Sequence, residues 1–189
     1  MKPSKVRRRL NDSLTGRRIV TAVRDSFEIS LTDGFVIAMT EDWVVMHTLA
    51  DGVYLDDIVM LRLGDISRVW FRDDDAYHHR AVEALDKSVA VFDCDDSVDA
   101  CELLKVASAT AEIFAVRLEM LDREPLAIGR LTRLRKKSFD LHYVGRDGVW
   151  ANQVERWKYQ DLTRIELGGR YLQALNSFSD PHPLAEEGS

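Results

Sequence analysis

Apolar and polar residues alternate along several short runs of this chain, and two of those runs resemble each other. Val44, Met46 and Thr48 alternate with Val45, His47 and Leu49, and Phe139-Asp140-Leu141-His142 alternates apolar with polar. This period of two predicts strands with one buried face. Asp51-Gly52 follows the first run and Asp147-Gly148 the second. Asp-Gly supplies the positive φ that a tight turn demands, so antiparallel return strands are expected over 58–63 and 154–159. Leu61 and Leu63 in one, and Trp157 and Tyr159 in the other, keep the apolar side.

The likeness extends well beyond the turns. At an offset of 96 positions, Asp51-Gly52-Val53 returns as Asp147-Gly148-Val149, Tyr54 as Trp150, and Arg62 as Lys158. Asp65-Ile66-Ser67-Arg68-Val69 returns as Asp161-Leu162-Thr163-Arg164-Ile165. Further on, Arg80-Ala81-Val82-Glu83-Ala84-Leu85 faces Arg170-Tyr171-Leu172-Gln173-Ala174-Leu175, and upstream Val44, Met46 and His47 face Phe139, Leu141 and His142. Extended agreement with compatible gaps marks two copies of one unit. In the Asp-(Ile/Leu)-(Ser/Thr)-Arg-(Val/Ile) signature, the acid is expected to cap one helical turn and to pair with the Arg three residues on, while the two apolar positions point inward. A short last strand then closes each copy.

Between the copies, Val89, Val91 and Cys94 read as a strand. Asp96-Ser97 caps a helix with the apolar face Ala100, Leu103, Leu104 and Ala107. Phe114, Val116, Leu118 and Met120 alternate with Arg117 and Glu119 as a further strand. A short helix is also expected over 76–85. The predicted organisation is a first repeat over 1–88, opening with a basic N-terminal arm over 1–16, a second repeat over 89–176, and a disordered tail over 177–189. The junction near 87–89 has no Pro, Gly or Ser-rich linker, so the repeats are expected to pack together.

Short curved strands ending in a one-turn helix resemble the small half-open barrels of the SH3-like and Sm-like kind. The hairpin pair and the Asp-Ile-Ser-Arg-Val type turn carry this resemblance. The twice-written layout, with Ile128-Gly129-Arg130 and Gly168-Gly169-Arg170-Tyr171, is similar to a family of uncharacterised bacterial proteins. The fold class this implies is mainly β (α+β): two tandem barrels, each followed by a short helix, with one extra helix between them. An Sm-like resemblance also implies an RNA-binding regulator as an alternative function.

Composition narrows the classes. With 189 residues, 46% hydrophobic and 31% charged, the chain is globular, and a net charge of −6 is the reverse of the basic balance typical of nucleic-acid binders. No apolar run reaches the roughly 20 residues of a membrane helix, and 19–23 is too short for the apolar part of a signal peptide. Cys94 and Cys101 make no disulfide framework, so a cytoplasmic setting is expected.

Candidate chemistry is sparse. Asp73-Asp74-Asp75-Ala76-Tyr77-His78-His79 and Asp93-Cys94-Asp95-Asp96 hold metal-ligating residue types, but both read better as acids at helix N-termini. His47 and His142 occupy matched strand positions and are candidate ligand-binding residues. Arg130, Arg133, Arg135, Lys136 and Lys137, with Lys5, Arg7, Arg8, Arg9, Arg17 and Arg18, form the two basic stretches open to nucleic acid. Neither has the interleaved aromatics that base stacking needs. Trp43, Trp70, Trp150 and Trp157 lie in strands and read as core or interface. Phosphate-loop, dinucleotide, serine-elbow, zincin and paired Cys-x-x-Cys motifs do not occur. No catalytic, cofactor-binding or metal-ligating residue is therefore assigned. The expected function is a non-enzymatic protein-interaction or adaptor module, whose partner is another protein or a second copy. The nucleic-acid regulator is the alternative, and a metal-dependent enzyme around His78 and His79 trails both.

Overall fold

A computed structural model describes residues 1–27, 31–73, 75–85, 88–121 and 126–183. The chain divides into two compact units, Met1–Asp99 and Ala100–Ser189. The first runs α1 (Pro3–Gly16), β1 (Ile19–Val23), β2 (Leu31–Met39), β3 (Trp43–Ala50), β4 (Tyr54–Arg62), a 3-10 turn at Leu63–Asp65, β5 (Arg68–Phe71) and α2 (Asp75–Ala84). The second repeats that order: α3 (Ala100–Thr110), β6 (Phe114–Arg117), β7 (Leu126–Leu134), β8 (Ser138–Val144), β9 (Trp150–Lys158), a 3-10 turn at Tyr159–Asp161, β10 (Arg164–Gly168) and α4 (Gly169–Phe178). The protein is mainly β with four helices among the described residues. None of those helices is long and apolar enough to cross a membrane.

Strand order is the same in both units, β5-β1-β2-β3-β4 and β10-β6-β7-β8-β9, with neighbours within each unit antiparallel. The irregularities recur as well. The β2–β3 register shifts between Val36 and Ala38, and the β7–β8 register between Leu131 and Arg133. The next pairs shift between His47 and Leu49, and between His142 and Val144. Such bulges bend a strand and increase its twist. Bending also brings backbones together: a Cβ on Gly34 would stand 2.3 Å from the His47 carbonyl oxygen, and one on Gly129 1.9 Å from that of His142. Only glycine allows either approach.

The repeated signature closes each sheet. The Ser67 backbone N–H and hydroxyl both donate to the Val23 carbonyl at the end of β1, at 2.8 and 3.0 Å. Thr163 does the same to Arg117 at the end of β6, at 2.9 and 3.0 Å. Each hydroxyl also meets a carboxylate two residues further on, Asp25 at 2.8 Å and Glu119 at 2.7 Å. The apolar members point inward as expected, with Ile66, Val69, Leu162 and Ile165 all buried. The acid does not cap the turn but ends it, and its expected ion pair is absent. Asp65 takes Arg62 at 2.8 Å, whereas Arg68 pairs with Asp25 and Arg164 with Glu166. Arg62 is closer because the turn folds Asp65 back over the end of β4.

Four other expectations change. Residues 1–16 are no loose arm: α1 buries Val6, Leu10 and Ser13 and joins the cluster of Val20, Val36, Val44 and Met46. Arg17, with φ 49°, ends the helix in the left-handed region, as a C-terminal stop requires. No strand forms over 89–94, because the Ala90 N–H is spent on the His47 ring and Val91 is fully exposed. The strand after α3 stops at Arg117; Leu118 is buried but Met120 is exposed. The expected tail is helical to Phe178 and seated as far as Pro183, while 184–189 lie outside the described residues. The face expected for the helix between the copies holds at Leu103, Leu104 and Ala107, which are buried on α3; on α4, Leu172 and Leu175 are buried.

Docking of α1 has a direct test. Leu10 is wholly buried, so Leu10→Ala is expected to cost about 3 kcal/mol of stability in equilibrium denaturation followed by circular dichroism. A loose N-terminal arm would leave the transition unchanged.

Candidate functional site

His47 and His142 sit beside the matched register shifts of β3 and β8, and the shift leaves each ring facing a segment outside the sheet. The His47 Nδ1 accepts the backbone N–H of Ala90 at 3.0 Å. In the second unit, His142 Nε2 lies 2.6 Å from the Ala151 carbonyl, and Nδ1 lies 3.0 Å from His182 Nε2. A carbonyl only accepts, so Nε2 carries the His142 proton and Nδ1 is the acceptor of a proton on His182 Nε2. Both matched histidines thus use Nδ1 to fasten the segment that follows the last helix of their unit.

Around His142 the fastening is elaborate. Trp150 stands edge-on to His182, with ring centroids 4.5 Å apart, and tilted against His142 at 5.3 Å. Its Nε1–H donates to the Asp180 carbonyl at 2.8 Å, and the Asp180 N–H donates to the Gly148 carbonyl at 3.0 Å. Gly148, at φ 77°, turns that carbonyl outward and leaves room for Ser179, which a Cβ would meet at 3.0 Å. An open cleft of about 540 Å³ runs beside the cluster, lined by His142, Trp150, Asn152, Val154, Pro181 and Pro183. Burial, reinforced by Arg130 and His142, holds His182 below the ordinary histidine range against an opposing pull from Glu112. Burial also lowers His47, against Asp56.

The basic residues are dispersed by their partners. Arg130 donates to Glu112 at 2.7 Å, and Arg135 forms a fork with Asp140, which also takes Arg156 at 2.8 Å. These guanidinium groups hold the Asp140 carboxyl far below the usual carboxylate range. Asp140 was expected on a solvent face, yet it is buried as the charged knot joining β7, β8 and β9. Arg133, Lys136 and Lys137 stay exposed where β7 turns into β8. On α1, Arg7 donates to the Thr40 and Glu41 carbonyls, Arg9 donates to Val69, and Arg18 lies over the Phe71 ring at 3.8 Å. Lys5 and Arg8 face outward.

The metal-type runs are not gathered. His78 is buried beside the Gly52 turn, His79 packs edge-on to Phe35, and Asp74 lies outside the described residues. Cys94 and Cys101 are unbridged, and the acids around Cys94 add to burial in raising its thiol. Among the described residues no three His, Cys, Asp or Glu side chains are placed to hold a metal ion. Sequence reasoning singled out His142 as a candidate and did not consider His182 or Asp180. The only written signal was Pro181-His182-Pro183, which stiffens a segment without saying where it docks.

Comparison with protein-family models, with curated proteins and with solved structures finds no match to the chain.

A carboxylate with a depressed pKa contributes stability above its ordinary pKa, near 3.8, and loses it as pH falls through the folded value. Asp140→Asn is therefore expected to cost on the order of 1 kcal/mol at pH 7 and progressively less below pH 4. Denaturant midpoints of both proteins between pH 7 and pH 3 check this; parallel curves would contradict it.

Proposed function

We propose that this chain is a non-enzymatic protein-interaction module, built from two small half-open barrels of the SH3-like or Sm-like kind. The barrel reading is supported by the shared strand order and by the 3-10 turn ahead of each last strand. One observation carries the interaction reading: β9 is bonded to β8 alone, and all six residues 151–156 are exposed. An open edge strand is a template for another strand. In the matching strand of the first unit, Val59, Met60 and Leu61 are buried; the second copy writes Glu155, Arg156 and Trp157 at those places. The edge has been made compatible with water, yet it keeps Val149 and Val154 exposed at 52% and 44%.

The occupant that β9 fits best is a second β9. In a two-fold antiparallel pairing centred on Val154, the valine meets its own copy, Gln153 faces Glu155, Asn152 faces Arg156, and Trp150 faces Lys158. No like charges stand opposite each other, and Lys158 gains an aromatic face. Exposed Arg133, Lys136 and Lys137 are the features that favour the nucleic-acid alternative instead.

Light-scattering mass across a concentration series is expected to show a dimer, and Val154→Lys, which sets two ammonium groups face to face, a monomer. A wild-type monomer throughout would sink self-pairing. Salt-sensitive binding of short RNA, abolished by Arg133→Ala with Lys136→Ala, would favour the regulator.

A further inference from the structure

The segment Ser179–Pro183 crosses the start of β9 without belonging to any helix or strand. The polar contacts that hold it include Asp180 N–H to Gly148, Trp150 Nε1–H to the Asp180 carbonyl, and His182 Nε2 to His142 Nδ1. Two of its residues are prolines, whose fixed φ limits how it can rearrange. We propose that this segment is an acid-released clasp, kept shut by a hydrogen bond between two neutral histidines, whose opening takes away the Pro181 and Pro183 wall of the cleft and bares the Trp150 ring. The inference is independent of strand pairing at β9.

The proton count supplies the reason. With the His142 proton committed to the Ala151 carbonyl, its Nδ1 lone pair is the only acceptor for His182 Nε2–H at this contact. A second proton on His142 would turn Nδ1 into a donor, so that His182 must move its own proton to Nδ1 to accept from it; with both rings protonated, N–H is set against N–H at 3.0 Å. A second proton on His182 would place an imidazolium in a site only 4% exposed. Among the described residues, the charged groups facing it include Arg130 on β7 and Glu112 ahead of β6, already joined in an ion pair at 2.7 Å. Arg130 opposes the added charge, and Glu112, committed to Arg130, offsets only part of that opposition. His142 on β8 and the Trp150 ring on β9 complete the surroundings. Released, His182 returns to the ordinary histidine range near pH 6.5. The clasp is therefore at full strength above that value and weakens as pH falls through it, because the open form then binds more protons.

Exchange of the Trp150 indole N–H, assigned with Trp150→Phe, reads the clasp directly. In the full chain the expected result is slow exchange at pH 8 and an exchange rate, relative to a free indole at the same pH, at least tenfold higher at pH 5, with the far-ultraviolet dichroism unchanged. His182→Phe keeps a ring against Trp150 but has no proton to gain, and its relative rate is expected to stay constant over the same range. A constant wild-type rate, or the same acid transition in His182→Phe, would overturn the proposal. Should that variant not fold, imidazole nitrogen shifts of the wild type at pH 7 decide. A proton on His142 Nε2 and on His182 Nε2 is expected; a proton on His142 Nδ1 would refute the clasp.

Discussion

The absence of one carbon atom at Gly34 and at Gly129 is the constraint on which each unit depends. A side chain at either position would strike the carbonyl of the facing histidine, at distances no non-bonded carbon and oxygen tolerate. Without it, β2 lies close on β3, and β7 on β8, and the register shifts that follow bend the paired strands. The bend turns His47 and His142 toward chain outside the sheet, and it brings the last strand of each unit back beside the first. Ser67 and Thr163 then fix that return with paired hydrogen bonds to the Val23 and Arg117 carbonyls. Sheet shape, closure and histidine placement thus trace to one steric permission.

The copies differ in what their matched side chains meet. The His47 ring accepts a backbone N–H, whereas the His142 ring accepts from another side chain that titrates. Replacing a plain peptide donor by His182 adds pH sensitivity to an otherwise structural fastening. In the same way, the buried Val59-Met60-Leu61 of β4 becomes the water-compatible Glu155-Arg156-Trp157 of β9 without changing the strand. Backbone geometry is kept while side chains facing outward are free to acquire other uses.

Features that depend on local chemistry were legible in the sequence. Asp51-Gly52 and Asp147-Gly148 mark turns because positive φ belongs to glycine, and the apolar face of α3 follows from helical spacing. Features that depend on distant partners were not. Val6 and Leu10 are spaced for a helix, but the arginines between them dominate the composition, and only the sheet beneath shows why the stripe is buried. Alternation placed Asp140 and His142 on a solvent face; Arg135, Arg156 and His182 bury them by satisfying their polar atoms. Nothing local announces that Asp65 prefers Arg62 to Arg68, since that choice is made by how the turn folds. Which strand stands at a sheet edge was not legible, because exposure of a strand's two faces and of its edge is set by the sheet order.

The account's central claim is that β9 is a working edge. Amide hydrogen exchange of residues 151–156, followed as protein concentration is raised, tests it most directly. Slowing confined to the outward-facing amides of β9, with β7 and β8 unaffected, is the result the account predicts. Exchange in β9 that stays fast and independent of concentration would contradict it.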